Sequence, residues 1–217
     1  MKVSKGEIFE RLFVNEPELN LHIEQEAGSQ VKLYVINFEI SGYRNTEISN
    51  KISVEQLGEG CTTEIYALAY LHGEESVTAE THVKHAAGGG KSEQLIKFVL
   101  DDNARGRFIG DLKIAPDAQQ TEAHQTNRNL LLSEAAEMRT QPQLEIYADD
   151  VQATHGASTG QLDESALFYM QQRGIDKQKA RQLLVGAFMR EVLDKIPHSL
   201  IPHSLNPLLD AIDGVVE

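Results

Sequence analysis

Two neighbouring runs decide the fold: AQQTEAHQTNRNLLLS at residues 118–133 and, after a polar spacer, PQLEIYADDVQATHGASTG at residues 142–160. Strand-forming sequence leads into them and amphipathic helical sequence follows. The second run carries a histidine, His155, set between the aspartates Asp149 and Asp150 and a glycine, Gly156. Its apolar phase steps through Leu144, Ile146 and Ala148 and then jumps to Val151. That jump predicts a β-bulge at the two aspartates, a device that re-aims side chains near functional edges.

Upstream, the chain is a series of strand-like runs. VKLYVINFEI (31–40) ends at Ser41-Gly42, and a second run spans Thr46–Leu57 before Gly58-Glu59-Gly60. TTEIYALAYL (62–71) stops at His72-Gly73. ESVTAETHVKH (75–85), the triple glycine 88–90, SEQLIKFVL (92–100) and RFIGDLKI (107–114) complete the series. Regular turn signals between β-branched and aromatic runs are the all-β signature. In 62–71, Ile65, Ala67, Ala69 and Leu71 share one face, and Tyr66, Leu68 and Tyr70 share the other. Both faces are apolar, so a sheet with one wet side would leave one of them exposed. In 76–83, Val77, Ala79, Thr81 and Val83 oppose a polar face. Stacked sheets and a β-helix both fit, and periodicity does not separate them. Residues 1–27 stay open: IFERLFV suits a short helix or a first strand.

After Gly160 the period becomes helical. Asp163 caps one predicted helix, which Gly174 closes. Asp176 caps a second, with a stripe at Ala180, Leu183, Leu184, Ala187, Phe188 and Val192 that ends at Pro197. IPHSL occurs twice, at 196–200 and 201–205, as a short stiff linker. Asn206-Pro207 starts a last helical turn ending near Gly214. The division expected is a β core over 1–160, with 1–30 uncertain, and a small helical domain over 161–217.

The net charge of −13 argues against nucleic-acid binding, which needs basic surface against phosphate. One cysteine, Cys61, excludes an intrachain disulfide and a protein-only cysteine cluster. No run of 18 apolar residues suggests a membrane span, and no secretory leader is recognisable, so the cytoplasm is the expected location.

Gly88-Gly89-Gly90-Lys91-Ser92 imitates a phosphate loop, but the required glycine five residues before Gly90 is His85. Strand-like sequence follows it, so it reads as a turn. His82 and His85 fall on opposite faces of a strand and cannot share a metal. His72, His124, His198 and His203 read as surface or hydrogen-bonded histidines. Asp149, Asp150 and His155 remain the best constellation, as a metal site, a general base or a polar turn.

The run AQQTEAHQTNRNLLLS, then PQLEIYADDVQATHGASTGQLDESALFYMQQRGI, then ARQLLVGAF, resembles the SufB/SufD family of iron–sulfur cluster assembly proteins, closer to SufD. The blocks occur in family order, and the resemblance is strong over about Thr81–Glu191. It implies a right-handed parallel β-helix core followed by a small C-terminal α-helical domain. It implies a non-enzymatic scaffold of the SUF system, carrying the SufC ATPase on helices within 163–195. Pairing with SufB, or with a second copy, would use the end of the β-helix. The matching histidine is His155, implied as a ligand to a transient iron–sulfur cluster shared with the partner; imidazole is a reasonable iron ligand. Gln152-Ala153-Thr154 stand where the family usually carries a cysteine, and the chain starts almost at the strands where family members carry a helical region. A free-standing metal-dependent β-helix enzyme using Asp149, Asp150 and His155 is the alternative, and a purely structural β-helix oligomer is a third.

Overall fold

The computed structural model describes residues 1–38 and 47–213. The Ser41-Gly42 turn and Gly214 lie outside the described residues. Twelve strands run in chain order: β1 (Lys2–Val3), β2 (Ile8–Val14), β3 (Glu18–Gln25), β4 (Gln30–Phe38), β5 (Glu47–Gln56), β6 (Thr62–Leu71), β7 (Ser76–His85), β8 (Lys91–Leu100), β9 (Arg105–Ile114), β10 (Thr121–Leu131), β11 (Glu137–Ile146) and β12 (Val151–Gly160). Odd strands form one sheet and even strands the other, and every pairing is parallel. The chain therefore alternates between two stacked sheets, as in a parallel β-helix. Thr62 pairs with Lys91 and Ser76 with Arg105, one coil of 29 residues apart. Residues 1–27 hold three strands and no helix: β2 is fixed by its ladder to β4, a long-range pairing invisible in so short a run.

Two apolar layers result. Between the sheets lie Leu33, Val54, Ile65, Leu71, Val83, Phe98, Phe108 and Leu112. The outer face of the even sheet presents Tyr34, Ile36, Tyr66, Leu68, Val99 and Leu130 to the C-terminal helices. This is why 62–71 is apolar on both faces, whereas β7 alternates buried and half-buried residues.

The helices are α1 (Glu164–Gln172), α2 (Lys177–Leu193) and α3 (Asn206–Asp213). Asp163 accepts from the Ser165 and Ala166 amides and Asp176 from that of Lys179, satisfying amides that a helix start leaves unpaired. Gly174 has φ +86°, the left-handed conformation that ends α1. The two IPHSL copies form two 3₁₀ turns, His198–Leu200 and His203–Leu205. The buried face of α2 is rotated from the expected stripe. Ala180, Val185, Gly186, Met189, Val192 and Leu193 are buried, while Ala187 is exposed. Burying Met189, Val192 and Leu193 contributes at most about 1.5–3 kcal/mol each.

An ion pair orients α2. Lys97 on β8 is buried, donates to the Phe188 carbonyl and to Glu191, and lies 3.9 Å from the Phe188 ring centroid. Arg128 donates to both Glu191 oxygens at 3.1 Å. Burial pulls the Lys97 ammonium below the usual lysine range, partly offset by Glu191. Burial pushes the Glu191 carboxyl up, but Lys97 and Arg128 hold it below its usual value overall.

At one corner a polar ladder climbs the coils: Gln25, Gln56 and His85 are in register and fully buried. Gln25 donates to the Thr62 carbonyl at 3.0 Å and accepts from Thr63 Oγ1 at 2.6 Å. Gln56 donates to Thr63 Oγ1 at 2.8 Å and to the Lys91 carbonyl at 2.9 Å. His85 Nε2 and Ser92 Oγ are 2.8 Å apart. Burial lowers the His85 pKa from 6.5 to about 4, so the imidazole is neutral at pH 7. Gly90 makes room for this ladder: a Cβ there would sit 2.4 Å from Gln56 Oε1 and 2.7 Å from His85 Nδ1. The triple glycine thus serves a tight turn with a packed neighbour.

Candidate functional site: the open end of the solenoid

Among the described residues, each sheet has a last strand with one neighbour only, β11 beside β9 and β12 beside β10. Their free edges carry unpaired backbone donors and acceptors. β11 is blunted by Pro142, which has no N–H, and by Glu137, Arg139 and Glu145. β12 reads VQATHGASTG over ten residues, with no proline, lysine, arginine or carboxylate. At the opposite end, β1 is two residues long and β2 carries Glu10 and Arg11. Of these four edges, β12 alone lacks the devices by which proteins discourage strand addition.

His155 sits mid-way along β12 and is exposed. Register places it at the top of an inward row: Leu33, Ile65, Gln94, Gln125, His155. The row changes from apolar to amide to imidazole as the interior nears the end. The adjoining inward positions are also polar. Asn127 and Asn129 exchange hydrogen bonds at 3.0 and 2.8 Å, and Asn129 donates to Thr159 on β12 at 3.1 Å. Gln125 fits because Gly110 faces it: a Cβ there would come within 2.5 Å of the Gln125 amide. Gln125 Oε1 and Gln94 Nε2 are buried without partners. Sequence reasoning missed this amide stack, although the spaced polar residues of TEAHQTNRN were its signal.

The two aspartates do not join His155. Asp149 and Asp150 form the bend between β11 and β12, a corner rather than a bulge. Buried Ala148 pins the corner, and the Asp150 amide donates to Gln119 Oε1 at 2.9 Å. Five residues of strand separate Asp150 from His155, about 16 Å. Among the described residues no three His, Cys, Asp or Glu side chains are arranged to hold a metal ion. Cys61 is fully buried, its thiol directed at the Glu26 and Gly58 carbonyls at 3.1 and 3.2 Å. His124 is bonded to Thr154 at 2.8 Å, and His198 and His203 are exposed. His82 faces outward beside Asp111 while His85 is buried, as opposite faces require.

Residues 18–188 match the family model for the SUF system FeS cluster assembly, SufBD core domain. The chain belongs to the SufBD core family. It is 38% identical over 149 residues to the iron–sulfur cluster assembly protein SufD of Escherichia coli, covering 69% of this chain and 35% of that protein. It is 33% identical over 204 residues to a SufBD family protein of Synechocystis, covering 88% and 45%. To Protein ABCI7, chloroplastic, of Arabidopsis thaliana it is 34% identical over 187 residues, covering 82% and 39%. The chain thus spans less than half the length of these relatives. Among the described residues, no helix is long and apolar enough to cross a membrane.

Proposed function

We propose that this SufBD core chain is a non-enzymatic cytoplasmic scaffold for iron–sulfur cluster assembly, pairing through β12 with SufB or a second copy. The observation that carries this is the unprotected β12 edge with His155 exposed in it. A partner strand laid against that edge would satisfy its backbone and bring its own side chains over the row that ends at His155. His155 then supplies one imidazole ligand to a cluster held transiently as cargo. Thiolates or sulfide come from elsewhere, because Cys61 is enclosed.

SufC docks, in the same proposal, on the helices within 163–195. Phe168 and Tyr169 on α1 support this, being 63% and 58% exposed on one short helix. Deleting 163–195 would be a poor test, since α2 covers the outer layer of the even sheet. Phe168→Ser with Tyr169→Ser leaves that layer intact and should abolish co-purification with SufC. Retention of SufC would remove α1 from the docking surface. In a complex reconstituted with SufB and SufC, His155→Ala should lower cluster yield at least about tenfold without changing the thermal midpoint. An unchanged yield would end the ligand role.

A further inference from the structure

The outer face of the odd sheet carries cross-strand charge ladders, several of them complementary ion pairs. Lys51 pairs with Glu80 at 3.7 Å, Lys84 with Glu55 at 3.1 Å and Lys113 with Glu145 at 2.9 Å. Like charges also stand in register at Lys84 and Lys113 and at Glu24 and Glu55, but Lys84 and Glu55 pair with each other and Lys113 pairs with Glu145. One like-charge register lacks that relief. Arg107 on β9 stands in register with Arg139 on β11. Like charges directly opposite are destabilising in a sheet, and a local rule broken without local compensation marks a functional place. Arg105 lies two residues from Arg107 on the same face. Glu137 is in register with Arg105, yet its ion pair is with Arg139 at 3.7 Å. Among the described residues neither the Arg105 nor the Arg107 side chain makes an ion pair. Among the described residues the three guanidinium groups therefore share one carboxylate, in a protein of net charge −13. They line a groove of about 450 Å³ with Ser76 and Thr78.

We propose that the face formed by Arg105, Arg107 and Arg139 docks an extended acidic polypeptide segment of a partner protein. Spacing favours a chain over a compact anion. Arg105 and Arg107 are two strand residues apart, about 6.6 Å, which is also the spacing of alternate side chains in an extended peptide. Carboxylates at alternate positions would meet successive guanidinium forks, and Arg binds carboxylate in two-point fashion. Among the described residues, no helix N-terminus or glycine-rich cradle of amides, such as compact phosphate sites use, belongs to this face. The surface is independent of His155 and of the exposed aromatics of α1.

The test uses a fluorescent capped peptide alternating glutamate and threonine, with a glutamine-for-glutamate peptide as control. Anisotropy titrations at low salt should show the glutamate peptide binding at least about tenfold tighter than the control. Binding should weaken steeply with salt, and it should be lost in Arg107→Gln/Arg139→Gln. That double variant removes the like-charge contact, so its melting midpoint should equal or exceed that of the parent. Equal affinity of parent and variant, or of the two peptides, overturns the proposal. So does competition by inorganic phosphate at concentrations no higher than those of the peptide, which would indicate a small-anion site.

Discussion

At the residue scale, His85 ties stability to pH. Its folded pKa of about 4 lies below the ordinary 6.5 because burial disfavours the imidazolium. Below about pH 6.5 the unfolded chain takes up a proton that the folded chain refuses. The stabilisation is complete above that pH and declines as pH falls toward 4, to a loss of about 3 kcal/mol. His85→Gln places at this rung the residue already used at Gln25 and Gln56. Urea midpoints at pH 7 and pH 4.5 should therefore differ less in the variant than in the parent, the difference isolating His85 from the carboxylates. An identical pH dependence would show that His85 is protonated without unfolding. Gly90→Ala pushes a methyl group into the same ladder and should cost about 1–3 kcal/mol, read in the same titration. None of this was legible in the sequence, because a buried imidazole and a surface one are written with the same letter. What gives His85 away is its register with two glutamines a coil apart, which requires knowing the coil length.

At the scale of elements, the strands were far more legible than the faces of the helices. TTEIYALAYL declared two apolar faces, and both are covered, one by the opposite sheet and one by helices. The caps Asp163 and Asp176 and the stop at Gly174 were also plain, since each acts within one turn of chain. The buried side of α2 was not. Leu183, Leu184 and Ala187 make a good stripe on periodicity, but the sheet selects Val185, Met189 and Leu193. Lys97 fixes that rotation by reaching the Phe188 carbonyl and Glu191, a partnership across more than 90 residues. Glu191→Gln leaves the buried ammonium facing a neutral amide and should cost about 1–2 kcal/mol, the partly exposed carboxylate being worth less than a buried one. Lys97→Met leaves Glu191 with Arg128 and should cost less. If thermal melts reverse this order, the ion pair is not what orients α2. The Asp149-Asp150 step was misjudged for a related reason: a jump in phase marks a bulge or a corner equally well until the neighbouring strands are placed.

At the scale of the whole molecule, the family was readable from ordered blocks and the solenoid followed from it, whereas the exposure of β12 emerged only with the pairing order of the sheets. Lysines at Ala157 and Ser158, both exposed, add the charges that β12 lacks. Ala157→Lys/Ser158→Lys should leave the far-ultraviolet circular dichroism unchanged and abolish association through this end in sedimentation experiments. Persistence of the associated species would place the contact elsewhere. Within the two sheets each coil is bonded only to the coil before and after it, so the solenoid is quasi-one-dimensional and, apart from the helices that lie across the even sheet, its stability is close to a sum of coils and of interfaces between coils. Such an array frays from its ends, and the coil of β11 and β12 has a neighbour on one side only. In the proposed pairing, a partner strand on β12 would supply the missing neighbour and act as a terminal cap. Amides of β10 to β12 should then exchange with deuterium faster than those of β6 to β8 in the isolated chain, and slow selectively when the partner is added. Assembly would in that case be recorded in the protection of a few strands, before any cluster is present.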